Sequence, residues 1–163
     1  MIRKILGWGT PALIGGLFAA VALAGLVWQG KIWLDHRKTD DGRLHALTLA
    51  RAQVIDLTTM DPETVNSKLK AMEGRLSGDF KDQFTSFADN FVTTVAKKKL
   101  SATGTVTGAA VSEYTDDSAS VIVAADAAVT SGKQKPVERH WRFDVRLIHS
   151  GDQWLISGME FVQ

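Results

Sequence analysis

The chain begins with a long uncharged and largely apolar run that extends from residue 5 to residue 30. Arg3 and Lys4 precede the run, and Lys31 follows it. About 20 apolar residues are enough to cross a bilayer as a helix, and such a helix satisfies its own backbone hydrogen bonds. The pattern therefore predicts that residues 1–30 form a short cytoplasmic stub followed by a single transmembrane helix.

A cleaved signal peptide is the alternative interpretation of this segment, because Ala22-Leu23-Ala24 has the small-x-small form of a cleavage site. The apolar run continues past that site, whereas the apolar region of a signal peptide is usually only about 7–15 residues long. Tryptophans also occur near both ends of the run, as in the aromatic belts of retained membrane helices. The membrane-interface anchors predicted on this basis are Trp8, Trp28 and Trp33.

Small residues recur at helical spacing in the predicted span, and such lines of small residues let two helices approach closely in lipid. The alternative is that Gly and Ala are simply common in membrane helices. The residues expected to pack against a neighbouring membrane helix are Gly15, Gly16, Ala19, Ala20 and Ala24.

Lysine and arginine occur on both sides of the span, so the positive-inside rule does not fix its orientation. We expect a single-pass protein of the inner (cytoplasmic) membrane, with a cytoplasmic N-terminus and a periplasmic C-terminal domain. Residues 31–41 are predicted to be a juxtamembrane linker or a stalk that extends the membrane helix. Residues 42–163 are predicted to form one domain.

The first half of this domain has the three-to-four-residue periodicity of amphipathic helices. Its first apolar stripe comprises Leu44, Leu47, Ala50, Val54 and Leu57, and a shorter stripe of Val65, Leu69 and Met72 follows Pro62. A third helix places four rings on one face, those of Phe80, Phe84, Phe87 and Phe91. This face is either a wall that contacts lipid or a core face packed on a sheet, and the need of a small domain for a core favours the second interpretation.

After Leu100 the sequence alternates apolar and polar residues, which is typical of strands with one covered face. Four strands are predicted at 102–114, at 119–130, at 137–149 and from Trp154 to the C-terminus, with a bend in the first near Gly108. Helices grouped before an antiparallel sheet indicate an α+β domain. We expect an NTF2-like/cystatin-like fold, in which three helices pack on a curved four-stranded antiparallel sheet.

Composition excludes several kinds of chemistry. The chain has no cysteine and a net charge of only +1, which argues against thiolate catalysis, disulfides and nucleic-acid binding. His140, Arg142, Asp144 and Arg146 alternate with apolar residues and should lie opposite the core. No HExxH, GxSxG or phosphate-loop motif occurs in the sequence. We therefore expect no enzyme activity, no catalytic residue, no metal site and no cofactor.

Two segments carry a family resemblance: Leu76-Ser77-Gly78-Asp79-Phe80 at the start of the aromatic helix, and Gly151-Asp152-Gln153-Trp154-Leu155-Ile156-Ser157 near the end. Together with the N-terminal span and the Thr/Val/Ala-rich strands, they resemble the Mce-associated membrane proteins of mycobacteria and related actinobacteria. The resemblance covers nearly the whole chain. A similar layout of one span and a small α+β domain occurs in the VirB8-like assembly proteins of type IV secretion systems.

The resemblance implies a non-catalytic accessory or scaffold subunit that stabilises or assembles an Mce-type import complex for fatty acids or sterols in the cell envelope. Its implied partners are the integral-membrane subunits of a lipid transporter, namely the Mce, permease and ATPase complex, together with membrane lipid. Two alternatives remain open. One is a lipid-binding module that uses the cone of the soluble domain, and the other is a VirB8-like secretion-assembly protein.

Overall fold

The computed structural model describes residues 39–162. The predicted membrane helix and most of the predicted linker therefore lie outside the described residues, as do the packing residues Gly15, Gly16, Ala19, Ala20 and Ala24 and the anchors Trp8, Trp28 and Trp33. Within residues 39–162, no helix has the length and the apolar character needed to cross a membrane. Residues from Asp41 onward form one compact unit.

Helices precede strands in the described part of the chain. Helix α1 covers residues 39–58, α2 covers Val65–Glu73 and α3 covers Gly78–Lys98. A turn separates α1 from α2. Within this turn, the Glu63 N–H donates to the Asp61 carboxylate at 2.9 Å. At the end of α3, Lys99 adopts a left-handed conformation with φ 48°, which turns the chain directly into the sheet.

The sheet is a four-stranded antiparallel meander in the order β1-β2-β3-β4. Its strands are β1 at Leu100–Tyr114, β2 at Ser118–Ser131, β3 at Val137–Ser150 and β4 at Gln153–Phe161. The prediction of three helices followed by four antiparallel strands is confirmed for the described residues. The bend predicted near Gly108 corresponds to a bulge, because the register of β1 against β2 shifts between Val106 and Gly108.

The segments that flank α2 bind the two edges of the sheet. Before α2, Met60 pairs with Ala102 of β1 through backbone hydrogen bonds of 2.7 and 2.8 Å. After α2, the Ile156 N–H of β4 donates to the Arg75 carbonyl at 2.8 Å, and the Ser77 N–H donates to the Ile156 carbonyl at 2.9 Å. These bonds fix the two ends of the helical layer relative to β1 and β4.

The main core lies between α1 and one face of the sheet, which we call the inner face. Ala46, Ala50 and Val54 of α1 are fully buried there. The sheet residues packed in the same cluster include Val121, Val123, Ala125, Phe143, Val145, Leu147 and Ile156. Full burial of one Val or Leu side chain contributes about 1.5–3 kcal/mol. This cluster therefore supplies much of the driving force that places α1 on the sheet.

The buried stripe of α1 differs from the predicted one. Leu44 is 62% exposed, whereas Ala46, Gln53 and Thr58 are buried. The prediction that Leu44 belongs to the core face was therefore wrong. Alanine at positions 46 and 50 lets the helix axis approach the sheet more closely than leucine would, so the closest contacts fall on small residues.

A second, smaller core joins α2 to α3. Its buried members are Met60, Val65, Leu69, Met72 and Val95. Val95 is the one buried residue of α3. The phenylalanines on the same face of α3 are only partly covered, and Phe87 is 56% exposed. The aromatic face of α3 therefore does not fill the space in front of the sheet.

Candidate apolar binding site

A cavity of about 500 Å³ lies between α3 and the inner face of the sheet. Its volume falls within the range of roughly 300–1,000 Å³ that is typical of small-molecule sites. The wall is almost wholly apolar. Three parts of the fold form it: the aromatic face of α3, the end of the sheet at which β1 and β3 begin and β2 and β4 end, and the junction of α1 with α2.

The helical wall consists of the four predicted phenylalanines and a valine one turn beyond them. Phe80, Phe84, Phe87, Phe91 and Val95 all line the cavity. They fall on one side of α3 because they follow one another at steps of three or four residues. The rings of Phe87 and Phe91 are tilted against each other, with their centroids 5.2 Å apart.

The sheet wall is formed by residues of all four strands, and β1 contributes its first residues, 100–102. Val129 of β2, Trp141 and Phe143 of β3, and Met159 and Phe161 of β4 line the cavity. Phe143 lies opposite Phe161 in the β3–β4 ladder, and their ring centroids are 5.0 Å apart. The strand register thus brings together rings that are far apart in the sequence.

The floor of the cavity contains two buried polar residues, Gln53 and Thr58. The Thr58 hydroxyl donates to the Val54 carbonyl at 2.7 Å, and the Gln53 Oε1 accepts from Arg75 at 3.4 Å. Arg75 also forms an ion pair of 2.7 Å with Asp56. Neither an amide nor a hydroxyl is an acid or a base near neutral pH, so this floor is suited to binding rather than to proton transfer.

One carboxylate residue borders the cavity among the described lining residues, namely Glu160. Its register partner is Asp144, which places its side chain on the opposite, outer face of the sheet. There the Glu160 carboxylate accepts a hydrogen bond from Arg146. The acid is therefore directed away from the cavity and paired.

The mouth of the cavity is marked by large exposed rings. Phe161 at the end of β4 is 72% exposed, and Phe87 in the middle of α3 is 56% exposed. Among the described residues, the β3–β4 ladder ends at the Phe143–Phe161 pair, and the Val162 N–H donates to the Arg142 carbonyl at 2.9 Å just beyond it. Large apolar side chains that remain in water around a cavity are typical of a binding site.

The polar row of β3 lies on the outer face of the sheet. Its His140 Nδ1 is 2.7 Å from Asp126 Oδ1 of β2, and this hydrogen bond raises the pKa of His140 above its ordinary value of 6.5. Farther along the strand, Asp144 accepts a hydrogen bond from Ser120. This row belongs to a solvated surface, on the other side of the sheet from the cavity.

Several wall residues carry no signal in the sequence. Met60 follows a helix end and has no periodicity to interpret, and Gln53 interrupts an apolar stripe as a polar residue. Met159 and Phe161 share the inner face with Phe143 only because of the register of β4, and a register shift lies between Arg146 and Leu147 of β3. Residue parity along β4 alone does not reveal that shift.

Comparison with known proteins identifies a family over nearly the whole length. A family model described as "Uncharacterized protein Rv1363c/MT1408-like" matches residues 11–163. Rv1363c of Mycobacterium tuberculosis is 32% identical over 134 residues, which are 80% of this chain and 51% of that protein. The chain thus spans about half the length of Rv1363c. The M. tuberculosis protein named "Outer membrane protein Rv1973" is 30% identical over 154 residues, 89% of this chain and 93% of that protein.

Solved structures share the fold at low sequence identity. The periplasmic domain of DotI matches with a TM-score of 0.61 and 16% identity, over 72% of this chain and 92% of that one. A periplasmic fragment of TraM matches with a TM-score of 0.59 and 14% identity, over 72% of this chain and 94% of that one. At such identities the likeness establishes the NTF2-like α+β architecture alone.

Proposed function

The chain belongs to the Rv1363c/MT1408-like family, and we propose that it is a non-catalytic accessory protein of the cell envelope whose cavity binds the apolar part of a lipid. One observation carries the proposal. The cavity of about 500 Å³ is open, lined by aromatic and aliphatic side chains, and rimmed by the exposed rings of Phe87 and Phe161.

The energetics of such a cavity favour an acyl chain or another apolar group. Each methylene that moves from water into an apolar wall gains about 0.8 kcal/mol. The polar floor groups Gln53 and Thr58 already bond to Arg75 and to the backbone. Little polar surface must therefore be desolvated when an apolar ligand enters, and the apolar contacts provide most of the affinity.

An envelope location is supported by the name of Rv1973, which is called an outer membrane protein and is matched over 93% of its length. We place the present chain in the inner (cytoplasmic) membrane, with residues 1–30 as stub and span and the domain of residues 42–163 in the periplasm. The uncharged run from residue 5 to residue 30 is long enough for a helical span. Separation of inner and outer membranes and immunodetection of the tagged chain tests this placement.

The larger assembly that we propose is an Mce-type lipid import complex, in which the chain is a single-pass accessory subunit. The resemblance to Mce-associated membrane proteins and the mycobacterial relatives support this role. The partners are then the Mce, permease and ATPase subunits and membrane lipid. A cavity that holds an apolar chain is consistent with a subunit that contacts the transported lipid.

The experiment is affinity purification of the tagged full-length chain from native membranes in mild detergent, followed by mass spectrometry of both proteins and extracted lipids. We expect transporter subunits and a lipid with a long apolar chain to co-purify. Recovery of secretion-system subunits instead would contradict the Mce-type assembly and support the VirB8-like role. Recovery of the expected subunits with no lipid would leave an assembly role and contradict a binding function of the cavity.

A further inference from the structure

We propose that the ligand of the cavity is an anionic amphiphile, whose apolar chain lies among the phenylalanines and whose charged head is bound by Arg139 at the rim. This inference rests on the proposed binding function and names its ligand class. It follows from the position of Arg139, from the residues that surround it, and from the charge of the neighbouring loops.

Strand register places Arg139 on the inner face of the sheet. It lies directly opposite Ala127 of β2, which is buried on that face at 2% exposure. Directly paired residues of an antiparallel ladder have their side chains on the same face. Arg139 therefore shares the face of the cavity wall rather than the face of its chain neighbours Glu138 and His140.

Both inner-face neighbours of Arg139 along the strand adjoin the cavity. Trp141, two residues later, lines it directly. Val137, two residues earlier, is paired with Val129, which also lines the cavity. Arg139 itself is exposed and lies beyond the end of β4. Arg139 is thus an exposed arginine on the inner face, two residues from the wall residue Trp141.

Nearby acidic groups are engaged elsewhere or directed away. Asp126 is bonded to His140 and Glu160 to Arg146, both on the outer face. Glu138 is paired with Ala128 of the outer face. No ion pair of Arg139 occurs among the described residues. The guanidinium is therefore available to a ligand, and it forms bidentate hydrogen bonds with carboxylate or phosphate oxygens.

Lysines at the same end of the sheet add positive charge. The Gly132 N–H donates to the Lys99 carbonyl at 3.0 Å, and the Ser131 hydroxyl donates to the Lys98 carbonyl at 3.1 Å. These bonds hold the end of α3, with its three consecutive lysines, against the β2–β3 loop. That loop contributes Lys133 and Lys135 and leads into β3 two residues before Arg139. A cluster of one sign of charge beside an apolar cavity attracts a ligand of the opposite sign.

A neighbouring arginine provides a matched control. Arg142 is on the same strand but pairs with Ala124 of the outer face, so Arg142→Gln removes an equal charge from the opposite side of the sheet. Both arginines are exposed, so neither substitution creates a buried defect. Arg139→Lys keeps the charge at the rim and tests whether loss of charge explains the effect of Arg139→Gln.

The test is photo-crosslinking of the full-length chain in isolated membranes washed free of ATP and coenzyme A, so that a fatty-acid probe is not esterified. The probes are a photoactivatable palmitic acid and its methyl ester. Label is quantified by mass spectrometry on the peptide that contains α3. Unlabelled palmitic acid and lysophosphatidic acid are added as competitors, and the stronger of the two identifies the head group as carboxylate or phosphate.

In the wild-type chain we expect the acid to label α3 more strongly than the ester. Arg139→Gln should lower labelling by the acid about fivefold at subsaturating probe, the size expected for one ion pair at an exposed rim. Labelling by the acid should be partly restored in Arg139→Lys and unchanged in Arg142→Gln. Labelling by the ester should be the same in all four chains.

Two results would overturn the inference while leaving the cavity function in place: equal labelling of the wild type by acid and ester, or equal labelling of the Arg139→Gln and Arg142→Gln chains by the acid. A wild-type chain in which neither probe labels α3 would contradict the proposed function itself, and this inference with it. The failure of the head-group assignment is therefore distinguishable from failure of the binding site.

Discussion

Thr58 and Gly104 are in such close contact that the Thr58 side chain occupies the space where a Cβ on residue 104 would stand. The Gly104 N–H also donates to the Thr59 hydroxyl at 3.1 Å. The last turn of α1 is thereby held against β1. Since Thr58 also lines the cavity, this contact lies at the cavity floor.

We predict that Gly104→Ala destabilises the domain by about 1–3 kcal/mol, because a methyl group there overlaps Thr58 and lies 2.9 Å from its carbonyl carbon. Thermal unfolding of the full-length chain followed by tryptophan fluorescence measures the effect. Gly108→Ala on the same strand is the control, since an added Cβ there meets no atom within 4 Å. Equal unfolding temperatures of the two variants would contradict the close-contact account.

Gly42, in the N-terminal half of α1, makes a similarly close contact with a neighbouring side chain. A Cβ on Gly42 would overlap the hydroxyl of Tyr114 and lie 2.9 Å from its Cζ, while Arg43 lies over the same ring at 5.4 Å. Gly42→Ala should therefore destabilise, although Ala in place of Gly favours an isolated helix by about 1 kcal/mol. Gly74→Ala, with contacts no shorter than 3.6 Å, should be neutral or stabilising. If both variants melt above the wild type, the Tyr114 contact does not constrain α1.

The ion pair of Arg75 with Asp56 should contribute to stability because both side chains are less than one-third exposed, at 29% and 26%. Arg75→Ala removes the partner of Asp56 and the donor to Gln53, and we expect a loss of about 1–3 kcal/mol. Arg146→Ala breaks a pair whose side chains are 55% and 65% exposed, so a loss below about 1 kcal/mol is expected. Denaturant unfolding of the two variants compares them, and a larger loss for Arg146→Ala would be inconsistent with this ranking.

The His140–Asp126 pair predicts a pH dependence. The hydrogen bond from His140 to the Asp126 carboxylate raises the pKa of His140 above 6.5. A raised pKa in the folded state means that protonated His140 stabilises the fold; this stabilisation is complete below the ordinary pKa and is lost as pH rises through the folded-state pKa. NMR titration should give a His140 pKa above 6.5 that falls in Asp126→Asn. An unchanged pKa in Asp126→Asn would exclude the carboxylate as the cause.

Local sequence patterns predicted the elements of this fold but not the fine choice of buried face in α1. Strands such as β3 alternate strictly, so Phe143 and Val145 on the inner face follow from parity alone. In α1, Leu44 and Ala46 belong to two overlapping stripes of three-to-four-residue spacing. The greater hydrophobicity of leucine predicts that the stripe of Leu44 is the buried one. The close approach of α1 to the sheet favours alanine instead, and that distance is a property of the tertiary structure.

The candidate site was predictable in part for the same reason. Periodicity placed Phe80, Phe84, Phe87 and Phe91 on one face of α3, but a face of rings is compatible with a filled core and with an open cavity. Whether a filled core or an open cavity forms depends on how far α3 lies from the sheet. The backbone bonds of Arg75 and Ser77 to Ile156 at one end of α3, and of Lys99 to Gly132 at the other, fix that separation.

The most direct test of lipid binding in the cavity is the amount of lipid that co-purifies with two full-length variants that place the same indole on opposite sides of β2. Val129→Trp fills the cavity, because Val129 lines it, whereas Ala128→Trp puts the ring on the outer face. We expect about one bound lipid per wild-type or Ala128→Trp chain and a large loss in Val129→Trp. Equal lipid content in Val129→Trp and Ala128→Trp chains that are both folded would contradict binding in the cavity.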